Sequence, residues 1–137
     1  MRWMGLDCGE RRIGIAFSDP LELTAQAYAF RERSASLRKD LEFFHELIHT
    51  YGVEGVVLGL PKNMNGSEGP MAEKVRNFGK TLEENEGLTV VYWDERLSTI
   101  SAHRVLLEAD LSRRKRRVKV DQLAAAIILQ NFLDSRR

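Results

Sequence analysis

The acidic residues Asp7, Asp94, Glu95 and Asp121 are of the right type, and in the right kind of position, to hold a cation. Asp7 closes an apolar run, where burying a carboxylate is costly without a partner, so it needs either a bound cation or a turn that satisfies it. An Asx-type turn onto the Gly9-Glu10 backbone would serve the second purpose. Asp94 and Glu95 close another apolar run, and because strand side chains alternate, only one of them can share a face with Asp7. Asp121 opens a further apolar stretch of helical period, where capping is its simplest use. Carboxylates from distant parts of a chain meeting on one rim suit hard divalent cations, and Mg²⁺ in particular binds a few carboxylates, keeps several waters and is completed by substrate phosphate. Two such ions about 4 Å apart would activate a water on one side of a phosphodiester and stabilise the leaving oxygen on the other.

Charge adds a second feature. The formal net charge is only +1, from 21 basic and 20 acidic residues. Arg113, Arg114, Lys115, Arg116, Arg117 and Lys119 concentrate six of those positive charges between residues 113 and 119, which leaves 15 basic against 20 acidic elsewhere, or −5. Read as a loop ahead of the last helix, this run can hold a polyanion at one place, because each neutralised phosphate releases counterions. A solvated charged loop is the plainer reading.

Other motifs carry less. His45-Glu46-Leu47-Ile48-His49 fits H-E-x-x-H, in which two histidines one turn apart bind zinc and the glutamate is general base. On a helical wheel centred on Leu37, Leu41, Phe44, Ile48 and Tyr51, His45 and His49 fall at about 80° and about 120°, on the border and the solvent side rather than in a cleft. A third ligand is hard to place, since Glu68 sits in a glycine-rich loop and His103 belongs to another helix, so no protease role is assigned. Cys8 has no helix start or histidine nearby to activate it and reads as a packed or rim thiol. The 60–67 loop offers amides to a phosphate or is a plain connection. Tyr92 and Trp93 can stack on bases, though core packing is the commoner use.

The elements that position these residues alternate along the chain. Residues 2–8 and 13–17 read as a hairpin about the Gly9-Glu10-Arg11 turn, and 23–30 as a third, weaker strand rich in alanine. A helix spans about 35–51, a buried strand 53–59, a second helix ends near Gly87, and a strand covers 88–93. Leu97, Ile100, Val105 and Leu106, after Ser98 as a cap, mark a third helix, and Leu123, Ile127, Ile128 and Phe132 a fourth. This order predicts an α/β fold: a mixed five-stranded sheet flanked by helices, antiparallel on one side and parallel on the other. Ligands in such sheets gather beyond the carboxyl ends of the parallel strands, where Asp7 and Glu95 both fall.

The 137 residues predict a single domain, with 43% hydrophobic residues and a core that needs no staple. One cysteine cannot form an internal disulfide, and charged residues appear before any leader-like apolar run, so a cytoplasmic location is expected. No apolar run reaches the ~20 residues of a membrane span, and the mean hydropathy is −0.34.

Four ordered motifs make the chain resemble the YqgF/RuvX family of Holliday-junction-resolvase-like proteins and pre-16S rRNA nucleases. They are Asp7-Cys8-Gly9-Glu10-Arg11-Arg12-Ile13-Gly14-Ile15-Ala16 with Ser18-Asp19, Gly59-Leu60-Pro61 through Asn65-Gly66, Asp94-Glu95-Arg96-Leu97-Ser98-Thr99, and Val120-Asp121-Gln122-Leu123-Ala124-Ala125. The likeness runs nearly end to end, with Ser98 where the family usually has threonine. It implies a ribonuclease-H-like fold, phosphodiester hydrolysis dependent on Mg²⁺ or Mn²⁺, and a catalytic, metal-binding set at Asp7, Glu95 and Asp121. It also selects Glu95 over Asp94. Arg12, Arg96 and the 113–119 residues are then expected to hold the nucleic-acid backbone without reading bases. The expected partner is precursor rRNA, with branched DNA as the rival substrate, for a protein that acts as monomer or homodimer. A four-way-junction resolvase would need two-fold paired sites. A non-cutting RNA-binding module would bind without cleavage, and an actin-like ATPase would need a second domain.

Overall fold

The computed structural model describes residues 1–97 and 113–137, the side chains of Leu97 and of residues 113–121 apart. Its sheet has five strands, β1 (Trp3–Cys8), β2 (Arg12–Ser18), β3 (Ala25–Glu32), β4 (Gly55–Leu60) and β5 (Thr89–Asp94), in the order β3-β2-β1-β4-β5. β1 pairs antiparallel with β2 and β2 with β3, whereas β1–β4 and β4–β5 are parallel. Helix α1 (Leu37–Tyr51) precedes β4, α2 (Pro70–Glu86) precedes β5, and α3 (Arg113–Ser135) closes the chain. The mixed sheet expected from the element order is therefore present.

Local chemistry sets the boundaries. The Ser36 side chain accepts from the Lys39 amide to start α1, which ends on Gly52, while α2 begins with Pro70 at its first turn and ends on Gly87. β1 and β4 are buried along their whole length, as strands covered on both faces must be. β3 is an edge strand with mostly exposed or half-buried residues, and it runs two residues later than the alanine-rich stretch suggested.

Strand alternation divides the core in two. Met4, Leu6, Val56 and Leu58 pack with Phe44, Ile48, Val75 and Leu82 beneath α1 and α2. Trp3, Ala16 and Val57 pack with Ala125, Ile128, Leu129 and Phe132 of α3 on the other face. A Cβ on Gly5 would lie 2.8 Å from Leu129 Cβ and 2.9 Å from the Ala125 carbonyl oxygen. Only glycine lets the α3 backbone come so close to β1.

Two expectations for the C-terminal part need correction. Arg113, Arg114, Lys115, Arg116, Arg117 and Lys119 form the first turns of α3 rather than a loop ahead of it. Asp121 is thus more than two turns inside the helix, and the capping role, which needs the first turn, does not apply. The basic run conceals the helix because cations oppose the positive end of the helix dipole, so it reads as a solvated loop. Most of the expected third helix, including Ser98, Ile100, His103, Val105 and Leu106, lies outside the described residues.

Candidate active site

Parallel β1, β4 and β5 end at the same edge of the sheet, and the acidic residues follow from that. Asp7 is 7% exposed and pairs across to Gly14 of β2. Gly5 meets α3, and Asp7, two residues on, points to the same face. Gly59 stands one residue beyond Leu58, which pairs with Leu6, so it neighbours Asp7 across the parallel ladder. Gly59 also faces α3, since a Cβ there would lie 2.5 Å from Ile128 Cδ1.

Glu95 enters this space from β5. It opens a single 3-10 turn, Glu95–Leu97, directly after the strand. A Cβ on Gly59 would lie 2.6 Å from Glu95 Oε1 and 3.3 Å from its Cδ, so the carboxylate lies over the α3 face of β4. The chain therefore brings Asp7 and Glu95 to one edge and one face of the sheet, beside a residue with no side chain. Each also has an interaction partner of its own.

Asp94 is committed elsewhere. Its carboxylate accepts from the Arg96 amide at 2.9 Å and from the Arg96 guanidinium at 2.8 and 3.2 Å. The Arg96 hydrogen bond holds the Asp94 carboxyl below its usual range, against a smaller opposing effect of burial. Arg96 also donates to the carbonyls of Asn63 and Met64 at 3.4 and 3.3 Å. Its guanidinium thus ties the 60–67 loop to the end of β5. Within that loop the Asn63 and Gly66 amides bond Ser67 and Asn63 carbonyls, and the Ser67 amide bonds Asn65 Oδ1. Those amides are spent on closing the loop.

Asp121 is positioned by the run of α3 along β1. Trp3 meets Phe132 edge-on with ring centroids 4.7 Å apart, and Gly5 lies beneath Ala125 and Leu129. The helix is antiparallel to the strand, and two residues of strand, about 6.6 Å, correspond to little more than one helical turn, about 5.4 Å. One further step leads from Gly5 to Asp7 on the strand and from Ala125 to Asp121 on the helix.

The remaining sequence candidates separate cleanly. Arg12 shares the face of Asp7, by alternation from Gly14, with its guanidinium 5.7 Å above the Phe30 ring and its Nε 3.7 Å from Glu32. Asp19 is at the opposite end of the sheet, where its carboxylate accepts the Leu21, Leu23 and Thr24 amides. Tyr92 packs against the α1/α2 core and Trp93 against the α3 core. Cys8 is buried on the face away from Asp7, and burial pushes its thiol up to about 12, opposed by Arg33 and reinforced by Asp7 and Glu95. The influence of both carboxylates on one thiol reflects their shared edge of the sheet. Sequence reasoning placed Gly59 in the Gly59-Leu60-Pro61 motif without giving it a role, and it missed Arg33, which sits 25 residues from Cys8 with no motif.

The fold is ribonuclease-H-like, matching RuvC from Thermus thermophilus in complex with a Holliday junction substrate at a TM-score of 0.59 and 16% identity, over 99% of this chain and 95% of that one. The fowlpox virus Holliday junction resolvase superposes equally, at a TM-score of 0.59 and 15% identity, over 98% and 99% of the two chains. Residues 1–135 match the family model RuvX, described as Holliday junction resolvase, and the chain belongs to that family. Curated relatives include one from Syntrophomonas wolfei, 54% identical over 98% of this chain and 94% of its own length. Another, from Moorella thermoacetica, is 56% identical over 98% and 95%. Both bear the name "Putative pre-16S rRNA nuclease".

Proposed function

We propose that this chain is a divalent-metal-dependent nuclease that hydrolyses phosphodiester bonds in structured nucleic acid, with the precursor of 16S rRNA as substrate. The observation that carries the reading is the meeting of Asp7 and Glu95 on one face and one edge of the sheet, with the Glu95 carboxylate over Gly59. Family membership and the names of the relatives support it.

The donor set fits Mg²⁺ or Mn²⁺. Carboxylate oxygens are the ligands hard cations take, and Asp7 and Glu95 offer them from one end and one face of the sheet. Asp7, Glu95 and Asp121 would hold the metal. When bound, it supplies a nucleophilic water at neutral pH and neutralises charge on the phosphoryl oxygens. The protein's own contribution is placement: β1 and β5, the strands either side of β4, fix two carboxylates at their ends, and the helix that carries Asp121, α3, packs along the same face of the sheet. Gly59 leaves room for the Glu95 carboxylate. Asp94, held by Arg96, keeps the adjoining loop and the β5 end in one arrangement.

The polyanion is held by the start of α3. Its six cations stand where the helix dipole is already positive and no acidic residue offsets them in the first turn. Such an end is disfavoured alone and relieved by phosphate. Arg12 adds a cation on the Asp7 face.

The test is a substrate panel of precursor 16S rRNA, single-stranded DNA and a four-way DNA junction, incubated with purified protein and Mn²⁺. The reading expects cleavage of the precursor, abolished by Asp7→Asn. Preferential paired cutting of the junction would instead establish a resolvase, and tight salt-sensitive RNA binding without cleavage a binding module. Undiminished cutting by Asp7→Asn overturns the site assignment.

A further inference from the structure

On the face of the sheet opposite the carboxylates, His45 and His49 stand one turn apart on α1, and Glu86 is the last residue of α2. Sequence reasoning found no third ligand for the two histidines, and the fold supplies one 41 residues away. His45 Nδ1 is hydrogen-bonded to Glu86 Oε1 and lies 3.0 Å from Oε2, while His49 Nε2 lies 3.6 Å from the same Oε2. The imidazole centroids are 4.3 Å apart, and one donor atom from each of the three residues falls within 4.8 Å of the others.

We propose that His45, His49 and Glu86 form a second metal site, for a borderline divalent cation of the Zn²⁺, Co²⁺ or Ni²⁺ type, unrelated to the hard-cation carboxylates. Donors about 2.0–2.2 Å from a tetrahedral ion sit about 3.3–3.5 Å from one another. The separations of 3.0 and 3.6 Å to a single carboxylate oxygen bracket that spacing, so small rotations of the imidazoles complete it. The Glu86 side chain is 7% exposed against 57% and 65% for the histidines, so the carboxylate is fixed by packing while the imidazoles close over it from solvent. Two imidazoles aimed at one carboxylate would each need a proton on the facing nitrogen, whereas one cation satisfies all three donors together. Imidazole ligands favour zinc-like ions over Mg²⁺ or Mn²⁺.

The site is not a protease centre. Glu46, the general base of the H-E-x-x-H reading, is exposed, and the ligand carboxylate comes from another helix. Water fills the remaining coordination from a cleft of about 440 Å³ between α1 and the end of α2, lined in part by Leu41 and Asn85. Because the ligands join two helices, occupancy clips the end of α2 to α1 and stabilises the folded state by mass action.

The test uses the full chain, stripped with chelator and titrated with Zn²⁺ in excess Mg²⁺, with Co²⁺ absorption as a second readout of ligand geometry. Wild-type protein is expected to bind one Zn²⁺ with a rise in Tm and to give a tetrahedral Co²⁺ spectrum. Removing an outer-shell partner of a metal ligand already costs about 10–100-fold in affinity. His49→Ala and Glu86→Gln should therefore each weaken Zn²⁺ by at least about tenfold, and Asp7→Asn should leave it unchanged. His45→Ala, at a second exposed position, repeats the result if either variant folds poorly. Wild-type Zn²⁺ affinity retained in both His49→Ala and His45→Ala, loss of binding in Asp7→Asn, or no binding by the wild type would each overturn the proposal. None of these outcomes bears on nucleic-acid cleavage, so this proposal and the nuclease reading fail separately.

Discussion

The carboxylate of Glu95 fills the volume that a side chain on Gly59 would take, with Oε1 2.6 Å from the position of the missing Cβ. Gly59 belongs to β4 and Glu95 to the turn after β5, so the absence of one side chain positions another across two strands. Gly59→Ala should therefore move Glu95 while leaving the sheet paired. A displacement of about 1 Å at a reacting centre costs about 100-fold in rate. The expected result is a loss of that order in Mn²⁺-dependent cleavage, with far-UV circular dichroism unchanged and some loss of Tm from the contact with Ile128. Normal cleavage by Gly59→Ala would show that the Glu95 position is unimportant.

The basic start of α3 gives an ionic-strength prediction. Each phosphate contact contributes about 0.7–0.9 to the slope of log affinity against log salt. Replacing Arg116 and Arg117 with alanine should lower the magnitude of that slope by about 1.4–1.8, while relative preference among RNA sequences stays the same. An unaltered slope would place these cations away from the bound backbone.

Arg96 is predicted to position rather than to grip. Arg96→Lys keeps the charge but loses the planar fork that spans Asp94 and the Asn63 and Met64 carbonyls. Limited proteolysis near Met64, which is 98% exposed, should quicken in this variant, while RNA affinity changes little. The anchor is also acid-sensitive. The Asp94 carboxyl lies below its ordinary range when paired, so its contribution is fully present above the unfolded value and is lost as pH falls through the lowered one. Loop proteolysis should therefore rise only under strongly acidic conditions, and a rise near neutrality would contradict the pairing.

Cys8 should be inert in the native protein. Burial holds its thiol near 12, so the thiolate that alkylating reagents attack is scarce at neutral pH. Iodoacetamide labelling is expected to be slow until urea unfolds the chain and then fast. Rapid labelling of folded protein would contradict the buried placement.

Much of the sheet was legible from residue patterns, because the buried strands Trp3–Cys8 and Gly55–Leu60 are apolar runs bounded by turns, and Gly52 and Gly87 end their helices. The start of the last helix was not. Six cations in its first turns work against the helix dipole, and tertiary packing of Ala125, Ile128 and Leu129 against the sheet outweighs that local preference. For the candidate site, strand alternation allowed either Asp94 or Glu95 and family resemblance pointed to Glu95, whereas the pairing of Asp94 with Arg96 was not legible in the spacing. Glu86 was illegible beside His45 and His49, because only the packing of α2 against the sheet brings its end to α1.

The carboxylate assignment is tested most directly by comparing Mn²⁺-dependent cleavage of precursor 16S rRNA by Asp7→Asn, Glu95→Gln, Asp121→Asn and Asp94→Asn. The first three should each lose at least about 100-fold, or about 2.7 kcal/mol of barrier lowering. Asp94→Asn should stay within about tenfold of wild type, a loss of under about 1.4 kcal/mol. Wild-type rates in Asp7→Asn, or inactivation by Asp94→Asn alongside an active Glu95→Gln, would contradict it.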